Sequence, residues 1–545
     1  MSSNKYIDSL IGLSFIFVIF PVIPMSLRIG FLGGEFSAKA SFYTLFICLV
    51  YSVWLKRHSL RQYHLYWKEL LYIALLGFSI AVSLVHGLIN FPYYDLVPGT
   101  NYMNHKLEAI IQFIFNETVS EYTLSVIHFC FRVLKNSLTQ LIFTFGFSYL
   151  IFYWYKNRSE TILKIVSKGS LISASLVVVF GVVELFYFDK QQWALSLLTY
   201  IRPIVHAIEI NNTWWPPLFW PELQFRSLFP EPSFLGIYAV ITIPFIWSII
   251  FTSKNKKLVG LSFIILLLLE MITLLANSRT ATVFFIIDHI LLVFALCIQF
   301  RNKKFIIHTV LVTLIGLLAF VGNIVYTSFV GNIVYTSNVL YVQDASTKST
   351  TSTTIKNIST QQVANEITSY GENNITSLSK KGGRSNNQRY GVMKADLNIF
   401  KENPLLGIGQ GLRTPYVLNH LDEDTLNGAE VKMWIENIKN KGLINISIPM
   451  LGEYTSRLSE TGIISFVLFM GPIVFLLVRL LIYVFKNPKD IWIIFFTIAY
   501  IESLLTGIGT TLNELYYFWI LLGFGYALVC TRNSYRNKVD EISEY

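Results

Sequence analysis

The chain has 545 residues, 53% hydrophobic and 14% charged, with a formal net charge of +10. This balance excludes an ordinary soluble domain and specifies a polytopic membrane protein. It also excludes nucleic-acid binding as the reason for the charge, because Lys and Arg fall in short clusters between apolar runs, where the positive-inside rule puts them. The four cysteines, Cys48, Cys130, Cys297 and Cys530, form no CxxC pair, so no disulfide framework or thiolate metal site is indicated.

A spanning helix needs about 20 mainly apolar residues. Twelve stretches qualify: 8–26, 38–55, 70–90, 134–154, 169–187, 233–251, 258–276, 281–300, 305–327, 460–484, 491–508 and 514–531. The first has no small-residue cleavage site after it and reads as a retained span. With the N-terminus inside, the inner connections carry Lys56, Arg57 and Arg61; Lys156 and Arg158; Lys254, Lys256 and Lys257; Arg301, Lys303 and Lys304; Lys486 and Lys489; and Arg532, Arg536 and Lys538. Every inner connection is basic, which fixes the orientation and makes both termini cytoplasmic.

The outer connections are larger. Segment 91–133 has apolar stretches at 110–115 and 124–134 that suit an interfacial helix. Segment 188–232 sets Trp214, Trp215 and Trp220 beside Pro216, Pro217 and Pro221, the composition of a membrane-interface belt. Segment 328–459 is the long outer loop, and its Ser/Thr/Asn-rich part, 346–387, reads as flexible. Just before it, VGNIVYTSF at 321–329 is followed by VGNIVYTSN at 330–338, a tandem duplication that lengthens the exit of the ninth span. The expected fold is therefore all-α, a polytopic integral membrane protein of about 12 transmembrane helices. Residues 1–327 hold spans 1–9, 328–459 form a large extracytoplasmic loop between spans 9 and 10, and 460–545 hold spans 10–12 and a cytoplasmic tail.

Within the loop, Tyr390, Met393, Leu397 and Phe400 recur at helical spacing and predict an amphipathic helix over 387–402, with Asn387 as cap and a stop before Pro404. Arg389 lies in its first turn. Gly407, Gly409 and Gly411 then predict a tight, close-approach turn. Polar clusters also stand at the outer ends of spans 6, 8 and 10, where helix N-termini present their positive dipole ends. In 226–236, RSLFPEPSFLG, Pro232 suits the first helical turn and Arg226 lies just outside it, beside backbone N–H groups that can hold a phosphate. In NSRT, 277–280, Arg279 is held at the membrane boundary, where a cation needs a partner. Glu453, Arg457 and Glu460 share one face of span 10. Each has a plain structural reading too: a snorkelling arginine, a turn residue facing headgroups, an ion pair.

These residues carry a family resemblance. Arg389, Asn403, Pro404, Gly407 and Gly409 match the signature of the O-antigen ligase and Wzy-type polysaccharide polymerase superfamily. Arg226 with EPSFLG, the Ser278–Arg279 pair, and Glu460-Thr461-Gly462 are similar to its other motifs. One departure stands out: Leu451 and Gly452 occupy the place where ligases and many polymerases carry a His-Asn pair. A histidine base therefore cannot be carried over there, and Glu453 and the loop residue His420 are the nearest substitutes.

The resemblance implies a metal-independent glycosyltransferase without cofactor, acting at the outer face of the bacterial cytoplasmic membrane. It would move an undecaprenyl-pyrophosphate-linked oligosaccharide onto another lipid-linked repeat unit. Developing charge on the leaving pyrophosphate calls for Arg226, Arg279 and Arg389, and the acceptor hydroxyl calls for a base among Glu231, Glu453 and His420. Arg457, Glu460, Gly407 and Gly409 would support them. Expected partners are the bilayer, a chain-length regulator and a flippase. The competing expectations are a ligase, and a flippase or other transporter; a transporter should show similar halves, which this chain does not.

Overall fold

A computed structural model describes residues 2–29, 36–56, 67–99, 112, 119–206, 224–343, 368, 370, 372 and 384–543. Every regular element among them is helical. In chain order these are α1 Ser2–Ile16, α2 Ala40–Lys56, α3 Trp67–Ile89, α4 Glu121–Leu141, α5 Phe147–Tyr155, α6 Ser159–Phe188, α7 Gln192–Val205, α8 Pro232–Thr252 and α9 Lys256–Leu275. Then follow α10 Arg279–Ile298, α11 Lys303–Gln343, α12 Arg384–Glu402, α13 Arg413–His420, α14 Glu423–Leu426, α15 Ala429–Lys441, α16 Glu453–Lys486, α17 Ile491–Thr506 and α18 Tyr517–Ser543.

Seven of the described helices, α3, α6, α8, α9, α10, α11 and α16, are long and apolar enough to cross a bilayer. Helices are the form such segments must take, since hydrocarbon satisfies no backbone group. The bundle is built around α8, which is buried almost throughout and packs on α6, α9, α10 and α17. By contrast α3, α11 and α16 keep apolar faces outward, with Phe78, Leu317 and Phe475 all more than half exposed. Those faces require lipid rather than water.

Several boundaries differ from the apolar pattern. α1 ends at Ile16 and gives way to a 3-10 turn, Phe17–Ile19, ahead of Pro21, whose missing N–H cannot continue a helix. α4 starts at Glu121, well before residue 134, because Ser120 caps it by accepting from the Thr123 N–H at 3.3 Å. A five-residue π-turn, Ile142–Gly146, links α4 to α5. Segment 188–232 contains α7. α11 runs 41 residues, through both copies of the nine-residue repeat. α12 starts at Arg384, so Asn387 lies inside the helix and does not cap it. The tryptophans at 214, 215 and 220, and residues 346–367, lie outside the described residues.

The loop segment α12–α15 does not stand apart from the bundle. Val392, Ala395 and Ile399 of α12, Val417 of α13 and Val431 and Trp434 of α15 share a second apolar core with Leu84 of α3 and Phe129 and Val133 of α4. Backbone bonds from Leu443 N–H to the Leu96 carbonyl (3.0 Å) and from Ile444 N–H to the Val97 carbonyl (3.3 Å) fasten its far side. The loop is thus a head seated on the ends of α3 and α4.

Candidate active site at the loop-bearing face

The glycine turn after α12 meets α16 backbone to backbone. Ile408 and Gly409 N–H donate to the Ser459 and Glu460 carbonyls (3.1 and 2.8 Å), and Ile463 N–H donates back to the Pro404 carbonyl (2.8 Å). This backbone pairing is possible because α16 breaks at Gly462, with φ 66° and ψ 179°. A Cβ at Gly407 would stand 2.5 Å from the Glu460 carbonyl oxygen, and one at Gly462 2.3 Å from that of Leu405. Both glycines also have positive φ, so no other residue type fits either position without strain. Glu460 adds a side-chain clamp: its Oε1 accepts from the Gly411 N–H at 3.1 Å.

Beneath the turn lies a fully bonded anchor. Asp396 of α12 accepts from Arg413 of α13 through two parallel bonds, Nε to Oδ1 at 2.5 Å and Nη2 to Oδ2 at 3.0 Å. Ser456 and Ser459 of α16 complete its shell at 3.1 and 3.2 Å. Both charges are buried, and the bidentate geometry is what makes such burial tolerable. A second buried pair, Glu453 with Arg457 at 2.7 Å, closes the start of α16. The other Glu453 oxygen accepts from the Leu512 N–H at 3.2 Å, and its own N–H donates to the Gly507 carbonyl at 2.8 Å. Glu453 is 1% exposed with both oxygens engaged. The Arg457 guanidinium also lies over the Phe469 ring, 4.9 Å from its centroid.

The remaining candidates meet where the N-termini of α8 and α10 come together. Gly236 and Ala281 touch so closely that a Cβ on the glycine would be 2.8 Å from the alanine Cα. Glu231 takes the N-cap position of α8 and Arg279 opens α10. Facing them from α12, Arg389 donates through Nη1 to the Gly509 carbonyl at 2.5 Å. Glu231 is half-buried. Burial raises its pKa above the ordinary carboxylate range, the Ser233 hydroxyl (3.0 Å) and Arg389 offset part of this, and Glu430 of α15 adds to it. A cation, a carboxyl with raised proton affinity and two helix N-termini thus converge, an arrangement suited to hold an anion and take up a proton.

Arg226 lies behind this locus. Its N–H and that of Ser227 donate to Glu184 Oε2 of α6 (3.3 and 2.8 Å), and its Nη1 donates to the Pro230 carbonyl at 3.2 Å, so it shapes the turn that presents Glu231. His420 sits elsewhere, bonded to the Tyr416 carbonyl (2.7 Å) and to Glu402 (3.0 Å). Glu402 is thirteen residues after Arg389 on α12, about 20 Å of helix rise. Burial lowers the His420 pKa, but the bonds to Glu402 and Tyr416 outweigh it and the net direction is upward.

Sequence reading missed Asp396, Arg413, Glu184 and the 507–512 turn. Asp396 and Arg413 carried a signal, two opposite charges flanking the glycine turn. The carbonyls of Gly507 and Gly509 carry none, since any residue type supplies one.

Residues 263–431 match the model of a protein family described as O-antigen ligase. The match runs from within α9 to the start of α15 and takes in Arg279, Arg389, Gly407, Gly409 and Arg413. No curated protein matches the chain.

Proposed function

We propose that the protein is a polysaccharide polymerase acting at the outer face of the cytoplasmic membrane, a reading supported by the match of residues 263–431 to the O-antigen ligase family model. It transfers an undecaprenyl-pyrophosphate-linked glycan onto another lipid-linked repeat unit. The observation that carries this reading is the convergence of Arg389, Glu231 and the start of α10 at Arg279 on one face, beneath a loop head fixed to the bundle.

The acceptor hydroxyl oxygen attacks the anomeric carbon of the donor glycan. The bond from that carbon to the pyrophosphate oxygen breaks, and the pyrophosphate leaves on its lipid with the bonding pair. Arg389 and Arg279 meet the charge that grows on it; a guanidinium stays ionised throughout and presents paired donors. Glu231 accepts the hydroxyl proton. Its raised pKa suits that task better than an ordinary carboxylate would, because proton uptake is most effective when the pKa lies nearer the working pH. Arg226, Glu453, Arg457, Glu460, Gly407 and Gly409 hold this geometry. His420 remains the second candidate base, reached only by a substrate that extends along α12.

The family description itself favours a ligase as second reading, with the same donor chemistry and a different acceptor. One assay separates the two. The purified full-length protein is incubated with a single lipid-linked repeat unit. The expected product is a ladder of lengths. Transfer only to an added non-identical acceptor would establish the ligase, and no transfer to either would overturn both.

A further inference from the structure

The end of the bundle opposite the loop head has a feature that the chemistry above does not use. There the C-terminal ends of α8 and α16 and the N-terminal end of α17 surround a cavity of about 780 Å³, lined among others by Phe251, Tyr483, Lys486, Lys489, Asp490 and Trp492. Its walls are fixed. Asn487 N–H donates to the Tyr483 carbonyl at 2.8 Å, and Gln299, which follows α10, donates to the Pro488 carbonyl. The lining sets two exposed ammonium groups, Lys486 and Lys489, against one carboxylate, Asp490, which accepts from the Tyr483 hydroxyl at 3.3 Å, so its formal charge is positive. Tyr483 and Trp492 are amphipathic rings of the kind that settle at headgroup level.

A second observation points to a lipid rather than a free anion. From the cavity a stripe of outward apolar side chains runs along α16: Phe485, Ile482, Val478 and Phe475, exposed by 60, 43, 46 and 55%. Their helical spacing puts them on one face, leading into the bilayer. A soluble phosphate has no use for that stripe, whereas an acyl chain does.

We propose that this cavity binds the headgroup of an anionic phospholipid. Its phosphate is held by Lys486 and Lys489, its glycerol region rests against Tyr483 and Trp492, and an acyl chain lies along the α16 stripe. Basic pockets between helix ends on the inner leaflet are where such headgroups dock. Because the cavity joins α16 to α8 and α17, its occupant braces the helices that carry Glu460 and Glu231 at their other ends.

The test uses full-length protein in detergent, titrated with phosphatidylglycerol or phosphatidylcholine, with bound lipid read by native mass spectrometry. Phosphatidylglycerol should be retained in preference to phosphatidylcholine. The double variant K486Q/K489Q should weaken that retention about thirty-fold, two surface cations' worth. The control K164Q/K168Q removes the same charge from exposed positions on α6, at the same end of the bundle but outside the cavity, and should leave retention unchanged. Equal weakening by both variants, or equal retention of both lipids, would overturn the proposal. Displacement by millimolar inorganic phosphate would overturn the lipid assignment and leave a free-anion site.

Discussion

Two polar regions a few residues apart on α12 are built in opposite ways. Around Asp396 every oxygen has donors, both charges are buried, and the partners come from α13 and α16. Around Arg389 the groups are half-buried, the arginine spends one bond on a carbonyl, and Glu231 keeps a raised proton affinity. The first region has the chemistry of a fastening, since a saturated buried ion pair has nothing left to offer a substrate. The second has charge and proton affinity in reserve. Burial with full bonding marks scaffold, and partial burial with unspent capacity marks the place of reaction.

If that contrast is right, the largest stability loss belongs to the first region. Asp396→Ala strands the Arg413 guanidinium in a buried site and should cost about 3–5 kcal/mol, seen as a lower unfolding midpoint in detergent and a poorly folded product. The second region should respond in rate, not in folding. Glu231→Gln should lower ladder formation by about two orders of magnitude or more, and Arg389→Ala by about 10²–10³, with unchanged unfolding midpoints; a matching drop in midpoint would erase the contrast.

A smaller effect sharpens it further. Glu430 raises the Glu231 pKa, so removing its charge in Glu430→Gln should lower that pKa. A base works when deprotonated, so the acidic limb of the pH–rate profile should then move to lower pH; no movement would detach Glu430 from the site. Least should happen at His420. Its pKa is raised in the folded state, so its pairing stabilises at low pH and that contribution fades as pH rises through the folded value. Glu402 is mostly exposed, which limits the pair to about 0–1 kcal/mol, and His420→Ala should change both stability and rate little. A dead His420→Ala variant with normal folding would move the base to the loop.

The bundle was legible because a bilayer enforces long apolar runs, and eleven of the twelve apolar stretches lie largely in helix, whereas in 8–26 the α-helix stops at Ile16. What could not be read was where helices continue into polar sequence. α16 begins at Glu453 because backbone carbonyls of the 507–510 turn receive its first N–H, and no residue pattern announces that. Of the site, Arg389 and Glu231 were legible from helix ends and glycines. Their meeting was not, since it depends on how a head more than 130 residues from α8 in sequence is seated. The charged residues of α10 show the same limit. His289 bonds its own helix at the Phe285 carbonyl (2.9 Å), while its neighbour Asp288 faces Glu502 on α17. Adjacent positions on a helix point apart.

The tandem repeat inside α11 has a geometric consequence. Nine residues advance a helix by about 13.5 Å and rotate it by about two and a half turns. Each copy therefore acts at once as a spacer and as a half-turn phase change. α11 has 41 residues, about 60 Å against a hydrocarbon core of about 30 Å, and the second copy, 330–338, lies beyond the apolar stretch that ends at Thr327. Deleting one would draw the far end of α11 toward the membrane and turn it to the opposite side, altering where the following loop starts and which way it departs. Removing two copies' length, eighteen residues, would shorten the reach twice as much and restore the original facing.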